Sequence, residues 1–340
     1  MKKYLALFFL FGFFGCNATG GTETGNPTDS VALAMASSVD VVSSSIGADA
    51  NTLTALTLNS QSALRGSHDG GLESARSCDS DDDVETEIEC AEDSHEASIV
   101  RNFGTGCSAA PGVTVTGEFF SSWSNMGTGA CANSLSRPQL FDAVQGSGSR
   151  QIVSTGMIAS NNCSSTPTTA VTRTFAGGTM RIRSCRRFDY SGHASSGGAE
   201  SFQESLTINN ENRIRLKTNG ETLFDHTLST PLPLVFTVSK LSGQILPRRS
   251  LRSGVVSVSH NIAGYTVTST FSDLEYDYAT CRCHPVSGDV DIEVTDTVTG
   301  ETLGTGQISF TETTTGVCDS TTATYNGSAV SLTLGSCRGF

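Results

Sequence analysis

The octapeptide Gly264-Tyr265-Thr266-Val267-Thr268-Ser269-Thr270-Phe271 decides the fold, because its apolar and polar residues alternate with little ambiguity. Tyr265, Val267 and Phe271 fall on one face of an extended chain, and the threonines fall on the other. Two later stretches repeat this alternation: Val290, Ile292 and Val294 against Asp289, Asp291 and Glu293, and Val330, Leu332 and Leu334 against Ser331 and Thr333. A period of two predicts half-buried β-strands here.

Short turn signals separate the predicted strands. Gly177-Gly178, Asn219-Gly220, Ala263-Gly264 and Asn326-Gly327 each suit a two-residue hairpin loop, whose twist matches antiparallel strands. Earlier strands are expected in 98–104 and 113–123, and no stretch after Phe103 has a convincing helical period. The sequence therefore predicts a mainly β domain over 98–340, either an antiparallel β-sandwich or an open curled meander of repeated hairpins.

The amino terminus has the pattern of a bacterial export signal. Lys2 and Lys3 precede an apolar run over 5–14, which is shorter than the about 20 residues that span a bilayer. Gly15-Cys16 then resembles the lipobox of bacterial lipoproteins, although Phe13 stands where that family prefers leucine. The resemblance implies removal of residues 1–15, lipidation of Cys16 and, from the following Asn17, sorting to the outer membrane. An ordinary signal peptide with a chance cysteine is the alternative.

Two segments are expected between the signal peptide and the β domain. Residues 16–28 are small, polar and glycine-rich, which is typical of a flexible tether. The N-terminal region 29–97 is expected to hold an acidic disulfide loop and one amphipathic helix over 29–46. The helical spacing belongs to the apolar residues Val31, Met35, Val39, Val42 and Ile46.

The charge balance limits the partners. Without residues 1–15 the chain has 19 basic and 34 acidic side chains, a net charge of −15. Such a protein repels nucleic acid and anionic lipid head groups, so no nucleic-acid partner is expected and membrane attachment is expected through the lipid alone. The low charged fraction of 16% and the many Thr, Ser and Gly residues indicate an exported β protein.

Ten cysteines remain after Cys16, and an even number in an oxidising compartment predicts five disulfides. They are Cys78, Cys90, Cys107, Cys131, Cys163, Cys185, Cys281, Cys283, Cys318 and Cys337. Their connectivity stays open, but Cys281 and Cys283 are too close to bond to each other without strain. They are expected to pair with Cys318 and Cys337.

The run Cys281-Arg282-Cys283-His284 also invites a haem or metal interpretation. Haem attachment needs two residues between the cysteines, and zinc sites prefer a second closely spaced pair of ligands. The sequence supplies neither, so no cofactor is predicted.

Acidic residues are densest over 79–96, where ten of them surround Cys90. Asp79, Asp81 and Asp83 match the first ligands of a calcium loop, but Val84 stands at the glycine position and Cys90 at the final glutamate position. They remain weak calcium candidates for looser coordination, against a solvated acidic loop. A third interpretation has this loop facing five basic residues: Arg173, Arg181, Arg183, Arg186 and Arg187.

No catalytic motif is convincing. Residues 192–197 fail the spacing of a nucleophile elbow and are expected to form a flexible loop. The histidines at 68, 95, 193, 226, 260 and 284 show no metal-binding spacing, and the acidic residues at 289, 291 and 293 suit a polar strand face.

Several loose motifs resemble uncharacterised β-rich bacterial lipoproteins. They lie in 103–107, 113–117, the hairpin at Asn219-Gly220, 283–288 and the hairpin after Cys318, so the resemblance covers about 98–337. It implies an exported β fold and no known activity. The predicted function is a lipid-anchored cell-envelope protein of structural or surface-interaction type, without catalysis. A glycan-binding or adhesin-like module, favoured if Phe120 lies on an outer face, is the alternative, and an exported carboxylate-dependent hydrolase is the second.

Overall fold

A computed structural model describes residues 35, 39, 85–89, 97–110, 113–124, 149–153, 171–240, 248–277, 285–311 and 321–332. Eighteen strands of this part join one antiparallel sheet, which confirms the mainly β prediction. The strands are β1 (Glu85–Glu89), β2 (Ala97–Asn102), β3 (Cys107–Ala110), β4 (Val113–Thr116), β5 (Glu118–Ser124), β6 (Ser149–Val153), β7 (Val171–Phe175), β8 (Gly178–Arg183), β9 (Cys185–Ser196), β10 (Ala199–Ile208), β11 (Glu211–Leu216), β12 (Thr222–Lys240), β13 (Arg248–His260), β14 (Tyr265–Tyr276), β15 (Ser287–Asp296), β16 (Thr302–Phe310), β17 (Thr321–Tyr325) and β18 (Ser328–Ala329).

The sheet is a meander in which spatial order follows chain order. From β12 to β18 each strand pairs with the next along the chain. Before β12, two consecutive strands lie end to end and together occupy one position in the sheet. Thus β8 pairs with β11 and β9 with β10, and β10 and β11 pair with the two halves of β12. The same holds for β6 and β7 beside β5 and β4. All described strand pairs are antiparallel, as predicted.

The alternation of buried and exposed side chains is interrupted at five places, which lie side by side on neighbouring strands of the sheet. The breaks fall at residues 184–185, 209–210, 231–233, 252–253 and 272–273. Asn210 and Asp273 have φ of 48° and 47° there, and a Cβ on Gly254 would lie 2.7 Å from Cα of Leu234. Aligned irregularities of this kind bend a sheet, and we call this level the corner.

The alternation predicted at the carboxyl-terminal end is confirmed. Val267, Phe271, Val290, Ile292 and Val294 are buried, whereas the threonines and acidic residues between them face outward. Residues 330–332 differ in part. Val330 and Leu332 pack against the core as predicted, but regular pairing ends at Ala329, so this stretch is not a full strand.

Three of the four predicted turns are correct in position, and two of these three are longer than predicted. Asn326-Gly327 is a two-residue loop with φ of 48° and 75°, as predicted. The Asn219-Gly220 turn is a longer loop in which the Lys217 amide donates to the Glu221 carbonyl at 2.8 Å, and Ala263-Gly264 ends a four-residue loop over 261–264. In each of these two longer loops the glycine has a positive φ, 83° at Gly220 and 76° at Gly264, which is typical of longer hairpin loops.

The Gly177-Gly178 prediction is wrong by one residue. The turn is Ala176-Gly177, and Gly178 begins β8 opposite Phe175. A Cβ on Gly178 would lie 2.0 Å from the Leu216 carbonyl oxygen, so this glycine permits a close backbone approach rather than a turn.

Two residues of the predicted N-terminal helix, Met35 and Val39, are described; both are helical and fully buried. They belong to the same apolar cluster as the inner faces of β9 to β17. A Cβ on Gly306 of β16 would lie 3.2 Å from the Met35 Cε, so a small residue there makes room for the helix. The inner face of the sheet therefore forms one side of the core, and Met35 and Val39 are also part of it.

The sheet begins earlier than the predicted boundary at residue 98. Glu85–Glu89 forms β1 and pairs with β2, so this part of the acidic segment is a strand rather than a loop. The acidic residues alternate with Thr86 and Ile88, a period of two that the density of charge obscures.

Candidate functional site

The candidate site is the edge of the sheet that carries the loops 217–221, 261–264, 297–301 and 326–327, which we call the loop end. These loops lie together because alternate connections of an antiparallel meander return at the same edge. The Thr297 amide donates to the Gly264 carbonyl at 2.9 Å, which joins the second and third loops.

Side-chain hydrogen bonds hold these loops in fixed conformations. Oδ1 of Asp296 accepts from the amides of Val298 and Thr299 at 2.9 and 2.7 Å, and these bonds hold the pKa of Asp296 below its ordinary value. In the neighbouring loop, Nδ2 of Asn261 donates to Oδ1 of Asp225 at 2.9 Å and to the Thr227 hydroxyl at 3.1 Å. The loop end is consequently preorganised.

These fixed loops present aliphatic side chains to solvent. Val298 is 91% exposed, Ile262 53% and Leu303, at the start of β16, 50%. The only other large apolar side chain exposed to this degree in the described residues is Leu232, at the corner. Carboxylates of Asp225, Asp296 and Glu301 lie on the same loops or beside them. The surface combines exposed aliphatic groups with negative charge.

A row of polar side chains crosses the inner face directly below the loop end. Strand register places Arg213 opposite His226, His226 opposite His260, His260 opposite Tyr265, and Tyr265 opposite Asp296. The two imidazole rings are 4.1 Å apart between centroids, and His260 stacks on Tyr265 at 4.6 Å. We call these five residues the histidine row.

Sequence reasoning missed this row because it treated the histidines as scattered. His226 and His260 are 34 positions apart, and the connection over 241–247 is too long to set the register of β12 against β13. The alternation within each strand does place both on the inner face, which is the signal that could have found them.

A second polar group lies at the corner and consists of Ser184, Arg186, Glu211 and Arg213. The Glu211 carboxylate is completely buried and accepts from Arg186 at 2.8 and 2.9 Å and from Arg213 at 2.6 Å. The Ser184 hydroxyl also donates to it. Burial alone would raise the pKa of Glu211, but the two guanidinium groups and these hydrogen bonds outweigh burial and hold it well below the ordinary value.

Arg186 and Arg187 both have partners on the sheet, but residues 79–84 and 90–96 of the acidic segment lie outside the described residues, so the third interpretation stays a prediction. Arg186 is bound to Glu211, and Arg187 pairs with Asp189 at 2.8 Å. The side chains of Arg181 and Arg183 are exposed, and that of Arg173 lies outside the described residues.

A buried ion pair joins β10 to β13 on the other side of the corner. Nη2 of Arg249 lies 3.5 Å from Oε2 of Glu204, and both side chains are at most 1% exposed. Register places Tyr190 beside Glu204 and Tyr276 beside Arg249. Like the carboxylate of Glu211, that of Glu204 is paired with an arginine.

On the outer face, the acidic residues of β15 form a polar surface as predicted. Asp289, Asp291 and Glu293 accept hydrogen bonds from side chains of Ser309, Gln307 and Thr302 at 2.6, 3.1 and 2.8 Å. Each bond crosses to the adjacent strand β16, so these groups support the sheet surface.

Two of the ten predicted disulfide cysteines have described side chains. Cys107 and Cys185 are buried and disulfide-bonded. The five-disulfide framework and its connectivity stay predictions. Outside the described residues lie the lipidation site Cys16, the calcium candidates Asp79, Asp81 and Asp83, and the cysteines 78, 90, 131, 163, 281, 283, 318 and 337.

Residues 192–196, predicted as part of a flexible loop, continue β9, and the turn follows at Gly197-Gly198. Phe120 is half-buried, and the side chains of Phe119 and Trp123 on the same strand lie outside the described residues. The glycan-binding alternative stays a prediction.

The described residues contain no cluster of three or more His, Cys, Asp or Glu side chains arranged to hold a metal ion. No helix among them has the length and apolarity needed to cross a bilayer. Comparison of the chain with protein-family models, curated protein sequences and solved structures finds no match.

Proposed function

We propose that this chain is a lipid-anchored, disulfide-bonded protein of the cell envelope, attached to the outer membrane through Cys16. It acts through surface contacts rather than catalysis, and it makes those contacts with the loop end. The partner is a protein surface that offers aliphatic side chains together with basic groups.

The exposure of Val298 on a hydrogen-bonded loop is the observation on which the contact surface rests. Asp296 fixes this loop, so a partner would not need to order it, and the entropic cost of binding is reduced. The surrounding carboxylates favour a basic partner by charge complementarity and disfavour anionic lipid or nucleic acid.

The state of the buried carboxylates supports a non-catalytic role. Glu204 and Glu211 are the buried acidic residues of the described core, and each is bound to an arginine away from solvent. A general acid or base must reach a substrate proton, which these groups do not. The hydrolase alternative therefore gains no support from them.

Membrane attachment is tested by replacing the lipidated residue. Cys16→Ser is expected to leave uncleaved precursor or to release the protein into the soluble fraction, whereas the wild type fractionates with the outer membrane. Normal processing and unchanged fractionation of the variant would refute lipidation.

The contact surface is tested by photo-crosslinking in intact cells that produce the full chain. A photo-reactive amino acid replaces Val298 in one variant and Leu232, which is 60% exposed at the corner, in a matched control. A discrete adduct is expected from position 298 alone, and Ile262→Asp should abolish it. Equal adducts from both positions, or none from position 298, would overturn the assignment.

A further inference from the structure

Arg215 is a half-buried cation on the inner face of β11, near the loop end. It follows Arg213 of the histidine row by two positions and so shares its face. Strand register places it opposite Met180 of β8 and Phe224 of β12, which are also half-buried. Its guanidinium carbon lies 3.7 Å from the centroid of the Phe175 ring. The positive charge therefore lies among apolar side chains.

The contacts of Arg215 hold its guanidinium group without using its hydrogen-bond donors. Stacking on Phe175 involves the face of the planar group, whereas the N–H donors lie along its edges. A Cβ on Gly177 would lie 3.4 Å from Nη2 of Arg215, so the turn before β8 also lies beside the group. Within the described residues, the contacts of this side chain include no hydrogen bond and no ion pair. The donors are therefore available to a ligand.

The carboxylate on the same face of β11 is already engaged. Glu211 lies four residues before Arg215 and accepts hydrogen bonds from Arg186 and Arg213. One negative charge thus serves two guanidinium groups before Arg215 is counted. The inner face of β11 consequently has an excess of positive charge, although the whole chain has a net charge of −13.

The other carboxylates near this part of the described sheet have partners of their own. Asp225 is on the outer face, where it accepts from the side chain of Asn212 at 3.0 Å. Glu221, in the adjoining loop, pairs with Lys217 at 2.9 Å. Burial lowers the pKa of Arg215, as expected for a cation that has lost part of its water.

From this geometry we infer that Arg215 binds the carboxylate of a small apolar acid, whose body lies against Phe175 and Phe224. The planar fork of a guanidinium group donates two parallel hydrogen bonds to a carboxylate. One unbalanced positive charge favours a monoanion, because the second charge of a phosphate would lose water without gaining a partner. The half-buried rings favour an apolar body over a bare anion. This small-molecule site goes beyond the proposed protein contact and does not depend on it.

Equilibrium dialysis of benzoate against the full mature protein in detergent tests the inference. Benzoate supplies both a carboxylate and an apolar ring. The control compounds are benzamide, which keeps the shape without the charge, and acetate, which keeps the charge without the ring. Benzoate is expected to bind saturably, and each control compound should bind about tenfold more weakly or less. Binding of benzamide or acetate as tight as that of benzoate, or no saturable binding of benzoate, would overturn the inference.

Variants of the same protein locate the bound benzoate. Arg215→Gln should weaken binding by about tenfold or more, because both the charge and the fork are lost. Arg215→Lys keeps the charge without the fork and should bind with intermediate affinity. Arg181→Gln is the matched control, because Arg181 is exposed on the outer face of the neighbouring strand β8, and it should bind benzoate as the wild type does. Unchanged binding by Arg215→Gln would place benzoate elsewhere and refute the site.

Arginine modification by phenylglyoxal gives a second measurement in the wild type, which decides the matter if Arg215→Gln does not fold. Mass spectrometry follows the modification of each arginine separately. Benzoate at about ten times its Kd should slow the modification of Arg215 about tenfold. Arg181 and Arg183, both exposed, should react at an unchanged rate. Equal protection of all three arginines, or no protection of Arg215, would overturn the inference.

Discussion

The corner and the histidine row both bury polar side chains on the inner face of the same sheet, but they satisfy them differently. At the corner, the Glu211 carboxylate meets two guanidinium groups at 2.6 to 2.9 Å. In the histidine row, two identical imidazoles meet at 4.1 Å. Charge-assisted hydrogen bonds between opposite charges hold the corner, whereas in the row His226 contacts the ring of His260, which in turn stacks on Tyr265. The corner therefore depends on charge, and the described contacts of the row depend on aromatic packing.

Removal of the corner carboxylate should have the largest effect. Glu211→Gln removes the carboxylate that holds the buried guanidinium group of Arg186 and the partly exposed one of Arg213, so the free energy of unfolding should fall by about 3–5 kcal/mol. Equilibrium denaturation by urea with the disulfides intact measures this change. Glu221→Gln is the matched control, because its carboxylate is exposed beside Lys217 and should matter little. Equal effects from the two variants would contradict the role of Glu211.

The pH range of this stabilisation should identify Glu211 as the group responsible. The pKa of Glu211 is lowered on folding, so its contribution is fully present above the unfolded value near 4.5 and is lost as pH falls further. The difference in unfolding free energy between wild type and Glu211→Gln should thus stay constant from pH 7 to pH 5 and shrink below about pH 4.5. A Glu211 difference that shrinks above pH 5 would show that another group is responsible.

A smaller effect is expected at the second ion pair. Arg249→Met should cost about 2–3 kcal/mol, because Glu204 is left buried and charged after loss of one 3.5 Å contact. Arg249→Met combined with Glu204→Met removes both charges and should recover most of that loss. Urea denaturation of the two single variants and the double variant completes the cycle. Strict additivity of the single effects would mean that the two side chains do not interact.

The sequence predicted the strands better than the relations between them. Alternation within 265–271 and 289–294 identifies inner and outer faces directly, because the side-chain period of a strand is two. Register was harder to predict: three of the four turns differ in length or position, and Gly178 owes its place to the Leu216 carbonyl, which lies 38 positions away. Both polar groups of the inner face depend on register, so neither could be found from spacing along the chain.

The residues of the corner could not be predicted from the sequence for a related reason. Asn209-Asn210 and residues 231–233, with two prolines, look like turns in the sequence, but they lie at the same level of adjoining strands and bend the sheet without ending it. Their alignment is a property of pairing and has no local signal. The buried Glu211 likewise resembles a surface residue until the strands bring Arg186 beside it.

The smallest effect should come from the outer face of the same sheet. Asp291→Asn keeps the shape of the side chain and the bond from Gln307, whose amide nitrogen lies 3.1 Å from Oδ1. Because this group is exposed, its charge is screened by water, and the free energy of unfolding should change by less than about 0.5 kcal/mol. The same urea assay measures it beside Glu211→Gln, which exchanges the same functional groups at a buried position. If the free energy of unfolding fell as much for Asp291→Asn as for Glu211→Gln, burial would not explain the difference between the outer and inner faces. Such a result would contradict the larger contribution to stability that we assign to the buried polar groups of the inner face.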